Sequence, residues 1–249
     1  MNMKVVILFS KGGLGDVGRH AVRAALDRPN EIEHITVISQ YTDSLKDKNW
    51  NSACSPSEIE ISDVEWKRLT IVPIQSWEDE ASFLSHFEGA GAVISCMGNR
   101  QMTLGDRVSA VGNTKVVKAM TQYNIPRVVS ISSVGIRDDW PPLEFHWSGK
   151  VLSCIFLTVG RSDYKDLSKG EEAYANSPSA IDYLIVRPVG LGEDIAPVGK
   201  WWVQKEKYKD TSFHFDSAKL DCARFMIEEA LKPSRHRTAV VLGAPLPGS

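Results

Sequence analysis

The stretch KVVILFSKGGLGDVGRH, residues 4–20, runs from an apolar segment into a glycine-rich loop. Gly12, Gly15 and Gly18 fall three apart, and Gly13 fills part of the first gap. Val17, Ala21, Ala24 and Ala25 follow at helical spacing, so the loop leaves a strand and opens an amphipathic helix. Glycine is needed where a Cβ would block a close approach or a tight turn. Here Gly12 permits the turn, Gly15 lets a pyrophosphate approach the backbone, and Gly18 lets helix and strand pack closely. The helix N-terminus then offers unpaired N–H groups and a positive dipole end to phosphate. The plainer alternative is a glycine-rich turn with no ligand.

Outward from this stretch, short β-rich runs recur: HITVISQ (34–40), LTIVPIQ (69–75), AVISCMG (92–98), RVVSISS (127–133), DYLIVRP (182–188) and TAVVLGA (238–244). Most are continuously apolar, as in strands covered on both faces. Helical spacing lies between them, in Val116, Val117 and Met120 and again in Ala223, Met226, Ile227, Ala230 and Leu231. The expected fold is a Rossmann-type, doubly wound α/β sheet, mainly parallel, of about seven strands. Helices cover both faces, a small C-terminal region lies on the substrate side, and residues 1–249 form one domain. Residues 41–67 and 136–168 break the rhythm and read as insertions.

Composition narrows the function. The apolar fraction is 43%, the charged fraction 24% and the formal net charge -2, so no basic field gathers nucleic acid. The longest apolar candidate, VLSCIFLTVG (151–160), is half of the roughly 20 residues a membrane span needs. The chain enters its first strand within three residues, without a visible targeting segment. The four cysteines lie far apart with no CxxC pair, which argues against a zinc site or a disulfide scaffold and for a reducing, cytoplasmic setting. The six histidines show no metal spacing, and no metal is expected. The expected partner is a small-molecule substrate, and the expected assembly a monomer or homodimer.

The choice of dinucleotide turns on the end of the second strand. NAD sites place a carboxylate there, about 20 residues beyond the glycines. Here ISQYT (38–42) puts Gln40 in that region and no Asp or Glu. Lys11 and Arg19 flank the glycine loop and suit a 2′-phosphate, which favours NADP(H) over NAD(H). Arg19 also reads as a solvated residue of the first helical turn.

GGLGDVG (12–18) has the GxxGxxG spacing of short-chain dehydrogenase/reductases. AVISCMGNR (92–100), GNTKVVKAMTQYNIPRVVSISSVG (112–135), KGEEAY…IDYLIVRPVGL (169–191) and LDCARFMIEEAL (220–231) extend the likeness. Together they resemble the atypical branch of that superfamily, the NmrA-like and flavin- or biliverdin-reductase-like proteins, outside 41–67 and 136–165. The resemblance implies that Gly12, Gly15, Asp16, Val17 and Gly18 line the pyrophosphate, with Gly13, Leu14, Arg19 and Gln40 in the same cofactor site. It implies that Cys96, Met97 and Gly98 lie near adenosine and ribose, with Asn99 and Arg100 just beyond. Ile131 and Ser132 would back the nicotinamide ribose, and Pro188 and Val189 would border the nicotinamide. The family's Asp after the third strand is missing from PIQSWED (73–79), leaving Gln75 or Ser76 as substitutes.

Classical members pair a tyrosine with a lysine four residues on, which lowers the phenol's pKa for proton transfer. The residues four after the six tyrosines are Leu45, Arg127, Ser168, Pro178, Arg187 and Ser212, so that pair is absent. Ser133 matches the family's active-site serine and is equally a strand-ending serine. Lys169 matches a lysine that holds the nicotinamide ribose and equally suits a surface pair with Glu172. His146 has the free pKa of a proton donor and also reads as a packed amphipathic residue. Trp140, Phe145 and Trp147 suit a lid over a flat substrate or a satellite apolar cluster. The expected function is NADPH-dependent reduction of a flat conjugated molecule such as a flavin, quinone or similar carbonyl. The alternative is a non-catalytic NADP(H)-binding redox sensor or assembly protein. A sugar-nucleotide epimerase would need the missing tyrosine.

Overall fold

The computed structural model describes residues 2–47, 53–98, 107–134, 136, 151, 154, 158, 160–192, 195–203 and 217–245. Its strands are β1 (Met3–Phe9), β2 (Ile32–Ser39), β3 (Leu69–Pro73), β4 (Ala90–Cys96), β5 (Arg127–Ile131), β6 (Asp182–Pro188), β7 (Trp202–Val203) and β8 (Thr238–Gly243). They form one eight-stranded sheet in the order β3-β2-β1-β4-β5-β6-β8-β7. Every pairing is parallel except β7 with β8. The helices are α1 (Val17–Leu26), α2 (Asp63–Trp66), α3 (Ser109–Tyr123), α4 (Arg161–Ala175) and α5 (Lys219–Leu231).

The continuous apolar runs have a direct cause. In β1, Val5, Ile7 and Phe9 enter the core beneath α1 and α5, while Val6 and Leu8 enter the core on the α3 side. Strand side chains alternate between faces, so a sheet covered twice needs apolar residues at both parities. The seven runs read from sequence are all strands. The eighth, β7, has only two residues, too few to carry a period.

Sheet order reverses at β1, which pairs with β2 on one side and β4 on the other. In open α/β sheets this switch point opens a crevice at the carboxyl ends of the strands. The glycine loop leaves β1 there, beside the end of β4. Ser10 closes the seam: its N–H donates to the Cys96 carbonyl, and its hydroxyl donates to the Gly98 carbonyl at 3.2 Å.

The insertion expected at 41–67 is more ordered than a plain excursion. It holds 3₁₀ turns at Thr42–Lys46 and Pro56–Glu58 and the short helix α2. Ser62 starts α2 with a capping box, the Glu65 carboxylate accepting from the Ser62 N–H at 2.8 Å. Arg23 of α1 draws this segment back by donating to the Glu60 carbonyl at 2.8 Å and pairing with Glu65. The second insertion, expected at 136–168, is shorter at its far end, because residues 161–168 already belong to α4.

Candidate dinucleotide-binding site

The glycine loop is built for backbone chemistry. Gly12 and Gly13 take φ values of 74° and 53°, the left-handed region that glycine enters at little cost. The Gly15 N–H donates to the Gly12 carbonyl at 2.9 Å and the Gly18 N–H to the Gly15 carbonyl at 2.9 Å, so tight turns wind into α1. The N–H groups of Gly13, Leu14 and Asp16 have no acceptor among the described residues. A cradle of such groups at a helix N-terminus suits a phosphate.

Two of the glycines answer to the protein's own packing. A Cβ on Gly18 would lie 2.1 Å from the Cβ of Phe9, which matches the expected close approach of helix and strand. A Cβ on Gly15 would lie 2.1 Å from the Ser10 carbonyl oxygen. The neighbour that excludes a side chain at Gly15 is therefore the loop's own backbone, in addition to any phosphate.

Asp16 organises the charges. Its carboxylate accepts from the Gly12 N–H at 3.3 Å and pairs with Arg19 at 3.4 Å and Lys219 at 3.3 Å. Lys219 is only 4% exposed, so the first turn of α5 sets a buried cation against the glycine loop. Burial, reinforced by Lys219, Arg19 and Arg224, holds the neighbouring His20 well below its ordinary pKa and keeps it neutral.

Beside the loop lies a cavity of about 370 Å³, bordered by Ser10, Lys11, Asp16, Arg19, Gln40 and Tyr41 among others. The Lys11 ammonium sits 5.4 Å from the centre of the Tyr41 ring. Gln40 stands at the end of β2 and donates to the Gln75 carbonyl at 2.7 Å. The nearest carboxylate in sequence, Asp43, also borders the cavity but is 94% exposed and paired with Lys46.

The structure treats the remaining expected residues differently from one another. Cys96 and Met97 are fully buried, with side chains in opposite cores, so neither side chain is offered to a cofactor. Burial pushes the Cys96 thiol well above its ordinary range. Met97 fills the space over Gly112, where a Cβ would lie 2.3 Å from its methyl carbon. Gly98 has Leu167 and Leu14 against it, at 3.0 and 3.2 Å from a built Cβ. Ile131, Pro188 and Val189 are core residues, and the Val189 N–H donates to the Leu242 carbonyl at 2.8 Å. Ser76 is occupied as an acceptor for the Glu78 N–H at 3.1 Å. Asn99, Arg100, His146 and the aromatic trio Trp140, Phe145 and Trp147 lie outside the described residues.

The serine pair separates. Ser133 is fully buried and its hydroxyl donates to the neighbouring Val134 carbonyl at 3.3 Å. The Ser132 hydroxyl is buried and has no partner among the described residues, which marks it as the one of the two with hydrogen-bonding capacity to offer. Lys169 lies on the exposed side of α4, while Leu167 and Glu171 on the same helix point inward. Glu171 forms a buried two-point pair with Arg187, at 3.0 and 2.6 Å. The 169–191 segment thus contains a structural brace between α4 and β6, made by Glu171 and not by the Glu172 expected to pair with Lys169. Tyr174 is fully buried, bonded to Asn113 at 2.8 Å, and burial raises its pKa, so this phenol is no proton donor to a substrate.

Sequence reasoning missed Ser10, Tyr41 and Lys219. Ser10 precedes the first glycine and carried a readable signal. Lys219 did not, since its role exists only once α5 packs beside α1.

A family model described as NAD(P)H-binding matches residues 12–233. The chain belongs to this NAD(P)H-binding family. No curated protein sequence matches it. Its fold is that of the short-chain dehydrogenase/reductases. One similar structure is a short-chain dehydrogenase/reductase from Veillonella parvula in complex with NADP, with a TM-score of 0.67 and 18% identity over 98% of this chain and 96% of that one. Another is the anaerobillin reductase ChuY from Escherichia coli O157:H7, with a TM-score of 0.64 and 19% identity over 97% of each chain. A Rossmann-fold NAD(P)-binding protein from Shigella flexneri scores 0.60 at 16% identity, over 98% of this chain and 95% of that one. The NAD(P)H-binding assignment agrees with the glycine cradle and the switch-point crevice. No helix among the described residues is long and apolar enough to cross a membrane, and no cluster of three or more His, Cys, Asp or Glu there could hold a metal ion.

Proposed function

We propose that this NAD(P)H-binding chain prefers NADP(H) and serves as a reductase of a flat conjugated small molecule. One observation carries the cofactor preference. The cavity beside the glycine loop is flanked by Lys11 and Arg19, and the end of β2 presents Gln40 where an NAD site holds a carboxylate. A 2′-phosphate gains charge-assisted bonds there. When bound, the nicotinamide supplies the reducing equivalents. The chain supplies orientation through Gly12, Gly13 and the start of α1, and a buried hydroxyl at Ser132 to hold a substrate oxygen. No tyrosine–lysine pair supplies a proton, which favours flavins, quinones and similar acceptors over simple ketones. The likeness in fold to an anaerobillin reductase and to an NADP complex supports the reading.

The test is a fluorescence titration with NADPH and NADH. Wild type binds NADPH more tightly, and Arg19→Ala weakens NADPH about tenfold while leaving NADH unchanged. Equal affinities for the two nucleotides overturn the preference. A second reading, a non-catalytic NADP(H) sensor, is favoured by the exposed Lys169 and the buried Tyr174. Tight NADPH binding without NADPH oxidation across a flavin, quinone and carbonyl panel would select it.

A further inference from the structure

Lys219 is a charge in an unfavourable place. It is the first residue of α5, where the helix dipole opposes a cation, and at 4% exposed it is withdrawn from water. A lysine buried in this way needs an anionic partner. Asp16 of the glycine loop meets it at 3.3 Å.

The same carboxylate serves the cofactor side. Its Oδ1 accepts from Arg19 at 3.4 Å and from the Gly12 N–H at 3.3 Å, while its Oδ2 takes Lys219. Asp16 and Arg19 border the cavity beside the glycines, together with Lys11. Asp16 against Arg19 alone sums to no charge. With Lys219 there are two cations on one carboxylate, and the trio presents a net positive charge to an anion in that cavity. The buried ammonium is screened little by water or salt, so its effect carries over a short distance. Asp43 on the same wall opposes it weakly, being 94% exposed and paired with Lys46. NADP and NAD share the pyrophosphate and differ in the 2′-phosphate. Damage to the loop therefore weakens both, whereas a change of charge at Arg19 separates them.

We propose that Lys219 sets the nucleotide preference as a positioning residue: it acts through Asp16, drawing that carboxylate from Arg19 so that the guanidinium can meet a 2′-phosphate. The proposal rests on the NADP(H) reading of the same cavity. The test is fluorescence titration with NADPH and NADH at low ionic strength, read as the ratio of the two Kd values. Wild type prefers NADPH. Lys219→Met reduces that preference about fivefold, because Asp16 then holds Arg19 alone. The double variant Asp16→Asn with Lys219→Met returns the preference to wild type, since the net charge is restored. Asp16→Asn alone raises the preference about threefold and keeps the test decisive should Lys219→Met fail to fold. Loss of both nucleotides alike in Lys219→Met, a double variant that stays at the reduced ratio, or an unchanged or lower ratio in Asp16→Asn overturns the role of Lys219 while the NADP(H) reading stands. Equal wild-type affinities overturn both.

Discussion

A single methyl group tests the loop that decides the fold. Gly15→Ala sets a Cβ 2.1 Å from the Ser10 carbonyl, a backbone atom that cannot swing aside. We expect a loss of about 1–3 kcal/mol, read as a lower urea midpoint, together with weakened nucleotide binding. At the same scale, Ser132→Ala should lower kcat/KM for any substrate found by about tenfold, because it removes a hydroxyl with no partner among the described residues. Ser133→Ala should leave kcat/KM near wild type, since that hydroxyl is spent on Val134. The sequence reading put the active-site role on Ser133 and the ribose contact on Ser132. Which hydroxyl finds a partner depends on the backbone path after β5, which no local pattern encodes.

Between elements, two ion pairs make separate predictions. Glu171 and Arg187 are 4% and 3% exposed and tie α4 to β6. Glu171→Ala takes the two-point carboxylate away from a buried guanidinium and should cost about 3–5 kcal/mol in urea unfolding. Glu65 ties α2 to α1 through Arg23, whose hydrogen bond is the main cause holding its carboxyl down at about 2. A folded pKa below the unfolded one stabilises at pH values above the unfolded pKa, and the gain fades as pH falls toward about 2. Melting curves of wild type and Glu65→Gln should therefore differ at pH 6 and converge on acidification. A gap independent of pH would contradict this origin. The helices themselves were legible, since Val17, Ala21 and Ala24 or Ala223, Met226 and Ile227 announce their own period. The braces between them were not, because Glu171 reads as an ordinary surface acid until α4 meets β6.

For the molecule as a whole, ligand linkage is the cleanest readout. NADPH at about 100 times its Kd should add about 2.7 kcal/mol and raise Tm by about 5–10 °C, with NADH at the same concentration doing less. An unchanged Tm with both would remove the nucleotide from the glycine cradle. The sequence by itself determined the strand–loop–helix at residues 4–26, the seven long strands and the parallel character of the sheet. Those features are written in local spacing and in apolar runs suited to two covered faces. It also determined that the tyrosine–lysine pair is missing, since that is a matter of counting. Only the tertiary structure decided that Cys96 and Met97 turn into opposite cores, that Lys169 faces outward while Leu167 lies over Gly98, and that Lys219 meets Asp16 across 203 residues of chain. Contacts of that kind arise when separate elements pack, and packing geometry is a property of pairs of elements that neither one's pattern contains.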